Sequence, residues 1–324
     1  MLSQIGRRSF LAAIAGACAA PRAARAQKVW KLGVLLYSTP EIEPNLGALR
    51  RALAELGYIE GRTLHLDLRG AEGRPERVAR LTEDLLRSRP DALFSLGGDV
   101  TIPAVRAAGR VPLVFATSAD PVKDGIVASL ARPGGTATGV TFLSDHLAAE
   151  RLEILKEAVP AVTRVAFLWN PDHHDNELPK AERTAGSLGV ELIPLAMTSS
   201  PEIDAALRTE RGRNTQALCI VSSRLTSRNL KRFVDFASAH RLPLIGGWGA
   251  WTQAGALLSF GPNLDEMIRR AATYVDEIFK GKKSSDLPVQ QPTRFDLAVN
   301  LKSAKALKID IAQSLLVRAD TVIE

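Results

Sequence analysis

Short apolar runs alternate along most of this chain with amphipathic segments of helical period. Val29–Leu36 is an apolar run interrupted only by Lys31 and Gly33, which is typical of a strand buried on both faces of a parallel sheet. Asn45–Leu56 then spaces its leucines three or four residues apart, on one helical face. Alternation of this kind predicts βαβ units, and therefore parallel sheets covered by helices on both faces.

The predicted elements fall into two sets that meet near Ser144. In the first set the strands are Val29–Leu36, Leu64–Leu68, Ala92–Leu96, Pro112–Ala116 and Ala137–Phe142, and the helices are Asn45–Leu56, Pro75–Arg87 and one that begins near Thr101 or Pro103. In the second set the strands are Val165–Trp169, Val190–Leu195, Ala217–Val221, Pro243–Gly246 and Ala256–Phe260, and the helices are Ala148–Ala158, Leu178–Leu188, Glu202–Arg211 and Ser227–His240. Two such sets predict two similar α/β lobes.

A late helix and a late strand lie outside both sets. The helix Leu264–Phe279 ends with Gly281 at its C-cap position, and the strand Phe295–Asn300 follows a polar stretch. These elements predict a chain that crosses back between the lobes and so forms a hinge with several crossovers. We expect lobe 1 to comprise residues 27–143 and 263–286, and lobe 2 residues 144–262 and 287–324. A hinged pair of α/β lobes places a ligand cleft between two sets of strand C-termini.

The N-terminal residues 1–26 have the three regions of an export signal in the right order. Arg7–Arg8 precede the apolar run Leu11–Ala20, and Ala24–Ala26 has the small residues that a signal peptidase needs. The paired arginine indicates the twin-arginine type, and the run is too short for a stable membrane anchor. We therefore predict cleavage near Ala26 and a periplasmic mature protein. The alternatives are a basic N-terminal helix and lipid attachment at Cys18.

Charge and cysteine content argue against a nucleic-acid-binding protein and against a fold held by disulfides. The formal net charge of +7 falls to +3 when the four arginines of the signal are removed, which is too weak and dispersed for a nucleic-acid partner. Cys219 is the only cysteine after the signal, so the mature fold has no internal disulfide. No later stretch of the sequence is long and apolar enough to cross a membrane.

The sequence contains no recognisable catalytic or cofactor motif. It lacks a G-x-S-x-G elbow and a P-loop, and no Rossmann glycine fingerprint follows the first strand. Asp172–Asp175, with two histidines between the aspartates, is a row of potential metal ligands, but adjacent side chains on a loop rarely converge on one ion. We expect instead a solvated loop at the rim of the cleft. The sequence therefore predicts a protein that is not an enzyme and holds neither metal nor cofactor.

Candidate ligand-binding residues follow the predicted strands, because strand C-termini line the crevice of an open parallel sheet. Gly97 and Gly98, with Asp99, lead from a strand into a helix, and backbone N–H groups at the positive end of a helix suit a carboxylate. Asp120 follows the next strand and could pair with an ammonium group of the ligand. The alternative for both segments is an ordinary tight turn.

Hydroxyl, amide and aromatic groups complete the predicted site. The hydroxyls of Ser38, Thr117 and Ser222 would bind an anionic or polar group, while Asn170 and Trp248 would contact the rest of the ligand. Trp248 and Trp251 lie in a glycine-rich segment and form either a wall of the site or part of the hinge packing. The predicted ligand residues are Ser38, Gly98, Asp99, Thr117, Asp120, Asn170, Ser222 and Trp248.

A further pattern extends over essentially the whole mature chain. It consists of Gly57–Arg62, Gly73–Arg77, Phe115–Gly139, Arg164–Pro171, Gly261–Leu264, Arg269–Ala272, Leu287–Val289, Gln291–Thr293 and Asn300–Leu307. Together these segments resemble substrate-binding proteins of ABC transporters of the tryptophan/tyrosine-binding type. The resemblance implies a type I periplasmic binding protein-like fold that closes on a small solute, amino-acid-like or another small polar organic molecule. It also implies delivery of that solute to a membrane permease driven by an ATPase.

Two functions of different classes are compatible with these patterns. The first is solute capture for import by a monomeric binding protein. The second is a soluble component that presents its bound ligand to a signalling receptor. An enzyme built on the same scaffold ranks below both, because no base stands in a recognisable nucleophile arrangement.

Overall fold

The computed structural model describes residues 28–43, 45–143, 146–173, 177–211 and 214–324. The predicted export signal with Cys18, the lobe junction at Ser144, and the loop residues His174 and Asp175 lie outside these ranges. Within the described ranges, no helix has the length and apolar character needed to cross a membrane. The same ranges contain no cluster of histidine, cysteine and acidic residues that could hold a metal ion.

The first part of the chain builds an all-parallel sheet of five strands in the order β2-β1-β3-β4-β5. Its strands are β1 (Trp30–Leu36), β2 (Leu64–Gly70), β3 (Ala92–Leu96), β4 (Leu113–Thr117) and β5 (Ala137–Thr141), connected in part by helices α1 (Leu46–Glu55), α2 (Val78–Arg87) and α3 (Gly98–Ala107). Every residue of β3, β4 and β5 is buried, as the continuous apolar runs predicted.

Helix α3 begins earlier than the sequence predicted. It starts at Gly98 rather than near Thr101 or Pro103, because Gly97 adopts a φ of +92° and turns the chain directly from β3 into the helix. Pro103 therefore lies inside the helix rather than at its first turn.

The second part of the chain repeats the alternation of strands and helices. It contains the helices α4 (Leu147–Ala158), α5 (Leu178–Ser187), α6 (Ser200–Arg211), α7 (Arg224–Arg228), α8 (Leu230–His240) and α9 (Ala250–Ala254), and the strands β6 (Arg164–Trp169), β7 (Glu191–Ala196), β8 (Ala217–Ile220), β9 (Leu244–Gly246) and β10 (Leu258–Pro262). The predicted helix Ser227–His240 is divided, because a capping box between Ser223 and Thr226 starts the short α7 before α8.

The chain then crosses between the two sheets. Its last elements are α10 (Leu264–Phe279), β11 (Phe295–Asn300), α11 (Leu301–Leu307), α12 (Gln313–Arg318) and β12 (Thr321–Ile323). Helix α10 packs on the first sheet, where Met267 and Ile268 join the core around Leu32. Strand β11 pairs antiparallel to β10, and β12 pairs parallel to β11. The second sheet thus has seven strands in the order β12-β11-β10-β9-β8-β6-β7.

Both sheets bury hydrophobic cores on their two faces, which confirms the predicted two-lobed α/β fold. Trp251 is fully buried in the second lobe, with its ring centroid 6.1 Å from that of Phe233, so it is a core residue. Cys219 is buried on the opposite face of the same sheet, and desolvation raises the pKa of its thiol to about 12. The lobe boundaries at residues 143, 263 and 287 stay a prediction.

Candidate functional site

A cavity lies between the strand ends of the two lobes, and its empty volume is about 480 Å³ when the open solvent at its mouth is included. We call it the central cavity. Its lining residues are Asn45, Leu96, Gly97, Ala116, Thr117, Ser118, Phe142, His173, Ser222, Ser223, Arg224, Trp248, Leu264, Met267 and Ile268. Both lobes and the crossing helix α10 therefore contribute to one partly open space.

The floor of the central cavity is apolar and joins the two lobes. Phe142, just after β5, and Trp248, just after β9, meet edge to face with their ring centroids 6.4 Å apart. Leu264 and Met267 of α10 line the same space. Aromatic and aliphatic walls of this kind suit an apolar or aromatic part of a ligand.

The first-lobe wall brings two predicted site residues together. A Cβ atom added to Gly98 would lie 3.5 Å from Thr117 Oγ1, so the start of α3 and the end of β4 are in direct contact. Thr117 Oγ1 accepts a hydrogen bond of 3.1 Å from the Ala119 N–H. At Gly97 a Cβ atom would lie 3.4 Å from Cγ and Nε of Arg224, which belongs to the opposite lobe. The glycine thus lets the two walls approach closely.

The second-lobe wall is held by a fully buried arginine that the sequence analysis missed. Arg151 of α4 donates from Nη2 to Ser222 Oγ at 2.8 Å and from Nε to the Phe260 carbonyl at 2.9 Å. Its Nη1 lies 3.7 Å from Glu177 Oε1. Gly247 is required beside this network, because a Cβ atom there would fall on Ser222 Oγ. Arg151 therefore fixes the orientation of Ser222, a predicted ligand residue that lines the cavity.

An ion pair connects the two walls. Arg224, at the start of α7, places Nη2 3.0 Å from Oε1 of Glu43, in the loop between β1 and α1. The exposed fraction is 12% for the Arg224 side chain and 1% for the Glu43 side chain. Opposite charges from the two lobes are therefore in contact at the edge of the central cavity, away from most of the solvent.

Two predicted site residues line a second, larger space that we call the outer cavity. Asp99 of the first lobe and Asn170 of the second face this space of about 940 Å³, which includes open solvent. Asn170 Oδ1 accepts a hydrogen bond of 2.9 Å from the Asp172 N–H, which shapes the loop after β6. Tyr37 lines it too, and burial followed by the negative charge of Asp99 raises the pKa of its phenol.

Three predicted residues line neither of these two cavities, namely Asp120, Ser38 and Gly98, although Gly98 adjoins Thr117. Asp120 Oδ1 accepts hydrogen bonds from the N–H groups of Val122 at 3.0 Å and Lys123 at 3.1 Å, as in a turn of the Asx type. Ser38 is buried at the end of β1, with its carbonyl against Gly70. A ligand-binding role for the three residues stays a prediction.

Three charged residues near the cavity were not among the sequence-derived candidates. Arg151 had a detectable signal, since it falls on the apolar face of its predicted helix with Ala148 and Leu152. Arg224 directly follows the strand-end serines, which is a weaker signal. Glu43 lies in a loop without periodicity, so only the folded arrangement of two lobes identifies it.

Known proteins match this chain over most of its length. A family model described as ABC transporter substrate binding protein matches residues 35–323. The tyrosine-binding protein of Clostridioides difficile (strain R20291) is 21% identical over 275 residues, which cover 84% of this chain and 79% of that protein.

Two solved structures share the fold. A conserved domain protein from Vibrio cholerae O1 biovar El Tor superposes with a TM-score of 0.82 at 25% identity, covering 91% of this chain and 100% of that one. An ABC domain in complex with L-Trp from Streptococcus pneumonia gives a TM-score of 0.81 at 23% identity, with the same coverage of both chains.

Proposed function

We propose that this chain, which belongs to the ABC transporter substrate-binding protein family, captures an amino acid between its lobes and delivers it to an import permease. The observation that carries the proposal is the central cavity, where apolar side chains and an arginine from opposite lobes face one space. A concave site with apolar walls and a few convergent polar groups is typical of small-molecule binding.

The class of ligand is supported by two similar proteins. One is named a tyrosine-binding protein and the other was solved in complex with L-Trp. In this chain, the floor formed by Phe142 and Trp248 offers a comparable surface for an aromatic or large aliphatic side chain. We therefore propose an amino acid with a large apolar side chain as the ligand.

The polar part of the proposed ligand would lie against the strand ends. Thr117 and Ser222 line the central cavity, and Gly98 adjoins Thr117. Asp99 and Asn170 lie at the outer cavity, where they would bind a ligand that extends toward the opening. The proposed function needs no catalytic step, because transport requires only that the ligand be bound and released.

Capture is coupled to closure because the ligand touches both walls. A ligand that contacts both lobes binds the closed arrangement better than an open one, and it shifts the population toward closure by that difference in affinity. The permease then binds the surface that the two lobes form together in the ligand-bound protein. We propose that the mature chain does this as a monomer in the periplasm, after twin-arginine export and removal of residues 1–26.

Native mass spectrometry of the mature protein, purified without refolding, tests the ligand class. We expect a carried-over amino acid, and calorimetry should then show saturable binding of that compound. L-tryptophan and L-tyrosine are the first probes. If the folded protein binds none of the common L-amino acids at millimolar concentration, the proposed ligand class is wrong.

Uptake in a strain that lacks the gene tests delivery to a permease. Loss of uptake of the identified amino acid, restored by the wild-type gene, supports import. If uptake is unchanged while a response to the amino acid is lost, the protein presents its ligand to a receptor instead.

A further inference from the structure

The ion pair between Glu43 and Arg224 has hydrogen-bonding capacity that the described residues do not use. Neither Glu43 oxygen accepts a hydrogen bond there, and Arg224 donates none from Nε or Nη2. The Glu43 side chain is buried, and so are Nε and Nη2 of Arg224, although 12% of the Arg224 side chain is exposed. The two side chains therefore neutralise each other's charge without forming directional bonds.

Buried charged groups without hydrogen bonds are strongly unfavourable, because water that would satisfy them has been removed. Such groups in a folded protein call for an explanation, which strain, water, an ion or a bound ligand can supply. The carboxylate of Glu43 needs a donor, and the guanidinium of Arg224 needs an acceptor. One molecule that carries both an ammonium and a carboxylate would satisfy the two groups together.

The surroundings of Arg224 favour an anion at this position. Arg224 lines the central cavity, and its Nε faces the place where Gly97 has no side chain. The first turn of α3 begins at Gly98, directly after this glycine, so the positive end of the helix adjoins Arg224. An anionic group there would receive bonds from the guanidinium and favourable interaction with the helix end.

The other charged groups near the strand ends are less available to a ligand, because Arg151 is fully buried and does not line the central cavity, although its Nη1 forms no hydrogen bond with the described residues. Arg151 uses two of its nitrogen atoms on Ser222 and the Phe260 carbonyl. Asp120 accepts from two backbone N–H groups. Arg224 lines the central cavity and Glu43 adjoins it through Arg224, so among the described residues these two have the capacity to recognise ligand charge there.

We propose that Glu43 and Arg224 recognise the two charges of a zwitterionic ligand, with its carboxylate on Arg224 and its ammonium on Glu43. The inference rests on the proposed function and makes it more specific, because the ligand must carry a free α-amino group and a free α-carboxyl group. In the structure the two residues pair with each other across the lobes. On binding, the ligand takes over this pairing while its apolar part contacts Phe142 and Trp248.

Calorimetry with ligands that lack one charge tests the proposal on the wild-type mature protein. L-tryptophan carries both charges, tryptamine lacks the carboxylate, and indole-3-propionate lacks the amine. We expect each analogue to bind about 100-fold more weakly than L-tryptophan, because one buried protein charge is then left without its partner. Equal binding of either analogue and L-tryptophan would overturn the proposal.

Two variants assign each charge to its residue. Arg224→Met should weaken L-tryptophan binding about 100-fold and change tryptamine binding little, and Glu43→Gln should do the same for L-tryptophan while sparing indole-3-propionate. The matched controls are Arg50→Met and Glu60→Gln, which break a pair of 2.9 Å between half-exposed side chains in the first lobe. Both controls should bind L-tryptophan as the wild type does. Thermal melts establish that each variant is folded.

The outcomes separate this inference from the proposed function. If amino acids bind and both cleft variants match the wild type, the charge recognition is wrong and the function stands. If no amino acid binds, but the carried-over ligand is another zwitterion that binds to the wild type and not to the variants, the amino acid assignment is wrong and the charge recognition stands. A ligand that lacks either charge, or no ligand at all, overturns the inference. Should a variant fail to fold, the analogue series on the wild type still decides.

Discussion

Arg151 and Arg224 are two arginines of the second lobe, the first fully buried and the second 12% exposed, and each lies near a glutamate, yet their donors are used differently. Arg151 pairs within its own lobe and donates to a hydroxyl and a backbone carbonyl. Arg224 pairs across the cleft with Glu43, and its Nε and Nη2 form no hydrogen bond with the described residues. Arg151 therefore bonds mainly to other residues of the protein, whereas Arg224 keeps donors that a ligand can use.

The difference separates a structural role, which we assign to Arg151, from a ligand-binding role, which we assign to Arg224. A buried guanidinium is tolerated when fixed acceptors replace water, and then it holds the elements that carry them. Arg151 connects α4 to Ser222, just after β8, and to the middle of β10. Arg224 leaves both Nε and Nη2 without hydrogen bonds and lines the central cavity, whereas Arg151 leaves only Nη1 without one and lies behind the wall.

The largest effect is expected from removal of Arg151. Arg151→Met removes two buried hydrogen bonds and the positive charge near Glu177, and breaking a buried charge pair in this way typically lowers the free energy of unfolding by about 3–5 kcal/mol. Urea denaturation of the variant and the wild type measures the difference. Arg50→Met, at a half-exposed surface pair, serves as control and should lie within about 0.5 kcal/mol of the wild type. A loss below about 1 kcal/mol for Arg151→Met would contradict the structural role.

A smaller effect is expected from crowding the same network. Gly247→Ala places a methyl group on Ser222 Oγ, with Arg151 Nη2 at 3.3 Å, so the pair must shift. Overpacking of this kind costs about 1–3 kcal/mol of unfolding free energy. Gly249→Ala is the matched control in the same segment, because nothing lies within 4 Å of its added Cβ atom. If thermal melts of the two variants coincide, Ser222 is free to move and Arg151 does not fix it.

Much of the fold was predictable because it rests on local periodicity. Helix α10 and strand β11 have the bounds that the sequence predicted, and β3 does too. Strand β12 was missed because three largely exposed residues show no alternation of buried and exposed positions. Helices α11 and α12 were missed because six or seven residues are too few to show an apolar face.

The candidate site was predictable only in part. The rule that strand ends line the cleft found Thr117, Ser222 and Trp248, which do line the central cavity. It could not find Glu43, because the burial of that carboxylate depends on Arg224 from the other lobe, far away in the sequence. Contacts between lobes cannot be detected from the spacing of neighbouring residues in the sequence.

The smallest effect on binding is expected at Asp120, which the sequence offered as a partner for a ligand ammonium. Its carboxylate already accepts two backbone N–H groups, whereas that of Glu43 accepts none from the described residues. Asp120→Ala should therefore lower the free energy of unfolding by about 1 kcal/mol through loss of the turn bonds. Affinity for L-tryptophan should change by less than about threefold, against about 100-fold for Glu43→Gln. Asp120→Asn, which keeps an acceptor oxygen for the turn, is the control for stability. A loss of affinity in Asp120→Ala comparable to that in Glu43→Gln would return the ammonium site to Asp120 and would make Glu43 a structural partner of Arg224.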